Sequence, residues 1–227
     1  MPKPIIISLG GSIMVPDEID VNFLRKFRKI ILDFVKKGHR VIIVAGGGKI
    51  CRRYDAATKA IFPKVSNIDL DWIGIAFTKL NAELLRALFG KLAYEKVIDN
   101  PNNKIKTNKK LILGCGWLPG SSSDKVAVLL ARTYQAQTVI NLTNVDYVYD
   151  KNPKKFKSAK PLKNITWQAF RKIVGSKWNP GANWPFDPIA AKLAQKFGIK
   201  LIVCQGVNLP NLKKVLAGRK FVGTVVG

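Results

Sequence analysis

The chain has 227 residues, 47% of them apolar, which is enough for a substantial core and too much for a disordered protein. Its longest aliphatic run, Val41-Ile42-Ile43-Val44-Ala45, is far too short to cross a bilayer, and Met1-Pro2-Lys3-Pro4 leads straight into Ile5-Ile6-Ile7, so neither a membrane span nor a removable signal is expected. Its three cysteines, Cys51, Cys115 and Cys204, are odd in number and widely spaced, which excludes a disulfide framework or a clustered zinc site and favours a reduced, cytoplasmic setting.

The formal charge of +25, from 39 basic and 14 acidic residues, has three readings. A polyanionic substrate accounts for a few cations lining a cleft. Nucleic-acid binding accounts for more, provided the lysines cluster on one face. The lysines are spread along the whole chain, so a solvated lysine surface is the simplest reading, and nucleic acid ranks below small-molecule partners.

In chain order, residues 4–9 read as a strand ending in Gly10-Gly11-Ser12. Residues 20–37 follow as a helix with Val21, Leu24, Phe27, Ile30, Ile31 and Phe34 at helical spacing, closed by Gly38. A second strand, 40–45, ends in Gly46-Gly47-Gly48 and feeds a helix over 49–61. A longer helix over 69–90 is expected to bury Trp72, Ile75, Ala76, Leu80, Leu84, Leu85 and Leu88. Residues 95–98 and 110–113 read as strands, with a polar, lysine-rich connection over 99–110 between them. The loop 114–123 precedes a helix over 124–134, and 138–142 is a buried strand. Residues 152–164 are basic and irregular, 167–174 form a short helix and 175–185 a flexible loop. Helices over 187–197 and 209–216 alternate with strands over 200–203 and 221–226. Such alternation with short links predicts an α/β fold with a mainly parallel sheet covered by helices, in one domain over 1–227 with two lobes.

The chemistry-bearing residues follow those strands. Each glycine cluster stands between a strand and a helix, where backbone amides converge and the helix dipole favours an anion, so two phosphate groups facing one another are expected there. Neither cluster matches a P-loop or a dinucleotide fingerprint. Lys49, Arg52 and Arg53 are read as one helix face beside the second cluster, ready to clamp a phosphate. Asp71 is either a partner for a ribose diol or a first-turn charge on its helix. Thr78 and Asn81 read as buried caps to a neighbouring loop. Asp187 before Pro188 is an N-cap by default, and functionally an organiser of the metal and basic groups around a transferring phosphoryl. His39, the only histidine, reads as a surface turn residue, which removes histidine-based catalysis. The polar, aromatic loop Thr143-Asn144-Val145-Asp146-Tyr147-Val148-Tyr149-Asp150 leaves a strand at the edge where α/β sheets bind nucleotides.

Taken in order and spacing, these segments resemble the amino acid kinase family, and within it the archaeal-type uridylate (UMP) kinases. The resemblance is carried by Gly10-Gly11-Ser12, Gly46-Gly47-Gly48-Lys49 with Arg52 and Tyr54, Asp71-Trp72-Ile73-Gly74-Ile75 with Thr78 and Asn81, Pro119-Gly120 with Ser122-Ser123-Asp124, Thr143-Asn144-Val145-Asp146, and Asp187-Pro188 with Ala190-Ala191-Lys192. It implies a three-layer α/β/α sandwich around a mostly parallel sheet of about eight strands, with an acceptor lobe near 1–110 and a nucleotide lobe near 111–227. It implies transfer of the ATP γ-phosphoryl to UMP with Mg²⁺, no metal ligated directly by the protein, and a cytoplasmic homohexamer. By that likeness Gly10, Gly11, Ser12, Gly48, Arg52, Thr143, Asn144, Asp146, Tyr149 and Asn152 hold ATP. Gly47, Asp71, Trp117, Leu118, Pro119, Gly120, Ser121, Ser122 and Ser123 hold UMP, and Lys49, Arg52 and Asp187 carry catalysis. The chain departs from the family pattern at Ser8, where many members have lysine, at Tyr147, where glycine is usual, and at Asn152, where aspartate is common. The missing charge is then expected from Lys49, Arg52 or a lysine within 175–185. The competing readings are a related phosphate kinase, such as an isopentenyl phosphate kinase, for which His39 is misplaced, and a weakly active regulator that binds nucleotide or nucleic acid.

Overall fold

A computed structural model describes residues 2–153, 155–176 and 184–227. The loop expected over 175–185 falls largely outside them, and with it Lys177.

Seven strands form one sheet in the order β3-β2-β1-β4-β8-β9-β7. β1 (Ile5–Leu9) is flanked by β2 (Val41–Ala45) and β4 (Thr138–Thr143), both parallel to it. β3 (Leu111–Gly114) extends one side, and β8 (Lys200–Gln205) the other. β9 (Thr224–Val226) turns antiparallel against β8, and β7 (Asn164–Ile165) closes that edge. β5 (Val148–Tyr149) and β6 (Pro161–Leu162) make a separate antiparallel pair. The strand expected over 95–98 is reduced to single bridges, Ala93 to Leu111 and Ile98 to Gly114, because the chain bends at Glu95 and Lys96 between them.

The central strands are mostly apolar because both faces are covered, with buried Ser8 in β1 and Asn141 in β4 as the exceptions. Alternation sorts them: Ile7, Leu9, Ile43 and Ala45 point to one layer, and Ile6, Ile42 and Val44 to the other. The first layer holds α2 (Val21–Lys36), α4 (Asn67–Phe89) and α8 (Leu209–Leu216), and the second α5 (Ser123–Thr133), α6 (Trp167–Val174) and α7 (Pro188–Lys196). Phe27 and Phe170, each fully buried, anchor the two layers and contribute about 1.5–3 kcal/mol apiece. This is the expected three-layer sandwich, with seven strands in its main sheet.

Helix starts follow local chemistry. Asp20, Ser66, Ser122, Thr166, Asp187 and Asn208 each accept a first-turn amide as N-caps. Ser66 moves the start of α4 back to Asn67, so the first-turn acid is Asp69 and Asp71 lies one turn further in. α4 also turns a different face to the core than its apolar spacing suggests. Leu70, Thr78, Asn81, Ala82, Leu85 and Phe89 are buried, whereas Trp72, Ala76 and Leu80 are exposed.

The order in which strands are added reverses at β1. From it the strands run outward through β2 and β3, and then resume on its other side with β4 and β8. Such a switch point opens a crevice at the carboxyl ends of the strands. Both glycine clusters and the 115–123 and 143–147 loops leave strands at that edge.

Candidate functional site

The two glycine loops touch. A Cβ on Gly11 would lie 2.2 Å from the Gly48 amide nitrogen and 2.5 Å from the Gly46 carbonyl oxygen, so only glycine permits the approach. The expected pair of facing cradles is therefore one continuous patch of backbone. Two of its amides are structural: Gly10 donates to the Leu142 carbonyl at 3.0 Å and Gly46 to the Leu9 carbonyl at 2.9 Å. The amides of Gly11, Ser12, Gly47 and Gly48 have no hydrogen-bond partner among the described residues. The first pair begins the short helix α1 (Gly11–Met14), and Gly48 begins α3 (Gly48–Ile61), so their N–H groups are the unfilled donors of helix starts.

Asn81 fixes the second loop from behind. Its side-chain amide donates to the Gly46 carbonyl at 2.8 Å and the Gly47 carbonyl at 3.2 Å. One turn away, the Thr78 hydroxyl accepts the Gly116 amide at 2.8 Å. Both residues are buried loop caps, as the sequence reading has them.

Between α3, α4 and the loop after β3 lies a cleft of about 460 Å³, within the usual range for small-molecule sites. Gly47, Gly48 and Arg52 line one side, Asp71, Gly74 and Thr78 another, and Ser121, Ser122 and Ser123 the third. Asp71 holds the loop in place, accepting the Gly120 amide at 2.7 Å. Trp117 packs half-buried against the second core layer and Leu118 is 44% exposed, so they, with Pro119 and Gly120, shape the loop and do not line the cleft. Burial pushes the Asp55 carboxyl up, opposed by Lys59 and reinforced by Asp71. Burial and Asp55 push the Cys51 thiol up to about 11, so it stays protonated and is no nucleophile.

The basic residues of α3 separate into two groups. Lys49 and Arg53 both donate to Asp17 Oδ1 at 2.8 Å, outside the cleft, and the Lys49 bond is the main reason that the Asp17 carboxyl is held below its usual range. Arg52 lines the cleft. All three lie on one broad face, position 53 about 40° to one side of 49 and position 52 about 60° to the other, so the same face turns Arg52 to the cleft and Lys49 and Arg53 to Asp17.

Asp187 is the N-cap of α7 and also ties the serine loop to that helix. Its Oδ1 accepts the amides of Ile189 (2.6 Å) and Ala190 (3.3 Å), and its Oδ2 accepts the Ser122 hydroxyl. Its own amide donates to Asp124 Oδ2 at 3.1 Å, and Asp124 Oδ1 accepts the Ser8 hydroxyl at 2.9 Å. A chain of bonds thus runs from β1 through α5 to α7 beneath the glycine loops, with Ser8 as a member in place of a cation. Asp124 carries no role in the sequence reading. The signal for it is a carboxylate directly after Ser122-Ser123, at a helix start on the carboxyl edge of the sheet.

Burial, with the Asp187 charge adding to it, pushes the Asp124 carboxyl up to about 6, against the bonds from Ser8 and the Asp187 amide. The folded state therefore binds this proton more tightly than the unfolded chain does. The stabilisation is complete below about 3.8 and is lost as pH rises through about 6. Asp124→Asn keeps both bonds if its oxygen takes the Asp187 amide and its nitrogen meets the Ser8 hydroxyl. We expect the melting temperature of the variant, relative to wild type, to be higher at pH 7 than at pH 4.5. Equal differences at both pH values would refute this role.

The 143–152 segment lies across the switch point from the cleft, and none of its residues lines it. Thr143 ends β4, with its carbonyl accepting the Gly206 amide at 2.8 Å and its hydroxyl 3.4 Å from Asn144 Oδ1. Asp146 is half-buried and Asn144 exposed. Tyr149 sits in β5, and the Asn152 carbonyl accepts the Lys155 and Phe156 amides at 3.1 and 3.0 Å. Tyr147 needs no left-handed backbone: the only non-glycine with positive φ among the described residues is Gln135. Buried Thr224, which sequence reasoning passes over, ties this region to the sheet, accepting the Val148 amide at 2.8 Å and donating to the Leu162 carbonyl at 2.5 Å.

The same layout recurs in known proteins. The chain is 36% identical over 225 residues to the uridylate kinase of Thermococcus onnurineus, covering 98% of both chains. It is 35% identical over 215 residues to that of Sulfolobus acidocaldarius, covering 92% of this chain and 93% of the relative. The crystal structure of uridylate kinase from Archaeoglobus fulgidus superposes with a TM-score of 0.84 at 33% identity, over 99% of this chain and all of that one. Residues 3–205 match the sequence profile of the amino acid kinase family, a span that takes in every strand from β1 through β8, both glycine clusters and the 115–123 and 143–147 loops, and the chain belongs to that family.

Proposed function

We propose that this protein transfers the γ-phosphoryl of ATP to UMP, giving ADP and UDP. The observation that carries the mechanism is the patch of free amides on two touching glycine loops, opening onto a cleft with an arginine at its wall. Phosphoryl transfer needs in-line placement and neutralisation of charge, with little covalent help. An oxygen of the UMP phosphate attacks the γ-phosphorus and the bond to the β-γ bridging oxygen breaks. The acceptor is already an anion, so no general base is required.

The acceptor fits the α3–α4 cleft, on the side of residues 1–110 and completed by the 116–123 loop. There Gly47, Asp71 and Ser121, Ser122 and Ser123 would hold UMP. The nucleotide fits the side of residues 111–227, over Thr143, Asn144, Asp146, Tyr149 and Asn152, with its phosphates on Gly11, Ser12 and Gly48. Arg52 stands at the junction and offsets the charge of the moving group. Lys49 can join it only by exchanging Asp17 for phosphate. Asp187 keeps α7 and the serine loop aligned. Mg²⁺ entering on the triphosphate would supply further charge neutralisation.

An ADP-release assay with ATP, Mg²⁺ and each of UMP, CMP, dTMP and AMP tests the acceptor, with UMP giving the highest kcat/KM. Activity on another acceptor and none on UMP would overturn it. A histidine-assisted phosphate kinase is disfavoured because His39 lies at the opposite end of the sheet, stacked on Phe34.

The exposed stripe Ile68, Trp72, Ala76 and Leu80 recurs every fourth residue on α4 and suits a helix-to-helix contact between copies. We assign it to a homo-oligomer, in the family's pattern a hexamer, working in the cytoplasm. Trp72→Asp should shift the mass seen by light scattering down towards the 25.2 kDa monomer, and an unchanged mass would exclude this surface.

A further inference from the structure

The surplus positive charge gathers on more than one surface: Lys151, Lys155, Lys157, Lys160 and Lys163 are exposed along 151–163, and a second concentration lies on two neighbouring helices. On α2, Arg25, Lys26, Lys29 and Lys36 are exposed, with Lys37 just beyond its end, and Asp33 is the one exposed carboxylate among them; Arg28 is turned to α4 instead, donating to the Leu88 carbonyl at 2.6 Å. α8 packs beside α2 and adds Lys213 and Lys214, with Arg219 and Lys220 in the turn after it and no acid at all. The ion pairs among the described residues all lie elsewhere, around α3, α4 and their neighbours, where carboxylates are interleaved with the cations. The α6 and α7 surface carries fewer exposed cations on its helices. The α2–α8 face is therefore a dense field of unpaired positive charge, which raises the local concentration of polyanions.

That face also has a shape. A cleft of about 380 Å³ runs between the ends of the two helices, lined by Asp33, Phe34, Lys37 and His39 on one side and Lys213 and Arg219 on the other. The rings of Phe34 and His39 are stacked, 4.2 Å apart and 10° from parallel. Phe34 is buried and His39 exposed, so the imidazole rests on a fixed ring with its outer side towards solvent. An aromatic platform among cations is how proteins hold unpaired bases and the backbone beside them.

The geometry points to a second activity: the α2–α8 face binds single-stranded nucleic acid, with phosphates along the lysines and arginines of both helices and one base on His39. α2 and α8 both follow strands whose carboxyl ends carry the kinase loops, so their C-terminal ends, and this cleft, lie at the opposite edge of the sheet. Strand binding leaves the kinase cleft open and does not depend on the kinase reading.

The test is the affinity of the full-length protein for a fluorescent 12-nucleotide oligo(U), measured against salt. About four neutralised phosphates give a log–log slope near −3. Lys213→Glu with Arg219→Glu should weaken binding more than tenfold and flatten the slope by about 1.4. Lys172→Glu with Lys196→Glu on α6 and α7, an equal change of net charge, should leave affinity within about twofold. His39→Ala should cost about tenfold with no change of slope, and His39→Phe should restore it. Unchanged kinase activity in every variant confirms folding. Equal losses in the two double variants would show charge attraction without a site. No binding, tighter binding to a duplex of the same length, or displacement by equimolar tripolyphosphate would each overturn the proposal.

Discussion

Gly11→Ala should cut kcat/KM by at least about 100-fold. The added Cβ meets backbone on every side: the Gly48 nitrogen at 2.2 Å, the Gly46 oxygen at 2.5 Å and the Gly47 carbonyl carbon at 2.6 Å. None of these can rotate away as a side-chain tip can. The loops must separate by about 1 Å, and a displacement of that size at a phosphoryl-transfer site costs about 100-fold in rate. The backbone at Gly11 is not left-handed, so the penalty is steric, and overpacking of this kind destabilises by about 1–3 kcal/mol. Gly10→Ala is the matched control, because its Cβ would meet only the Leu142 carbonyl oxygen at 3.0 Å and the Ile13 side chain at 3.5 Å. Steady-state kinetics and thermal unfolding of both variants decide the matter. A Gly11→Ala enzyme with wild-type turnover would show that the contact between the loops is architectural only.

Arg52→Ala should lower kcat by about 10- to 1,000-fold, the range for loss of an electrostatic stabiliser at a developing charge. Its guanidinium can grip two phosphate oxygens at once, so Arg52→Lys should recover only part of the rate. Lys49→Ala should cost less, because Lys49 is committed to Asp17 in the unliganded protein. The split between kcat and KM is informative. A rise in KM alone would make Arg52 a binding group for UMP, and a fall in kcat would place it on the transferring phosphoryl. If Lys49→Ala proves the more damaging variant, the assignment of Arg52 as the principal cation fails.

Much of the architecture was legible because it rests on local signals. The β1, β2 and β4 segments are largely apolar runs ending in glycine or polar loops, and the helices other than α1 and α3 begin at Asp, Ser, Thr or Asn side chains that accept first-turn amides. Thr78 and Asn81 were readable as buried caps, since polar residues on a helix face turned inward need partners. α4 was misread because it is apolar around much of its circumference. Periodicity cannot tell a stripe that meets the core from one such as Trp72, Ala76 and Leu80 that meets another surface. The ribbon of β5 and β6 escaped notice because two-residue strands carry no pattern. Asp124 was missed because its partner Ser8 lies 116 positions away, and no spacing rule reaches that far. The separation of Lys49 and Arg53 from Arg52 required knowing where Asp17 lies.

Thr224 sits in the last strand yet grips the hairpin that leaves the 143–147 loop. Trimming the final four residues would remove that grip and loosen a segment some eighty positions upstream.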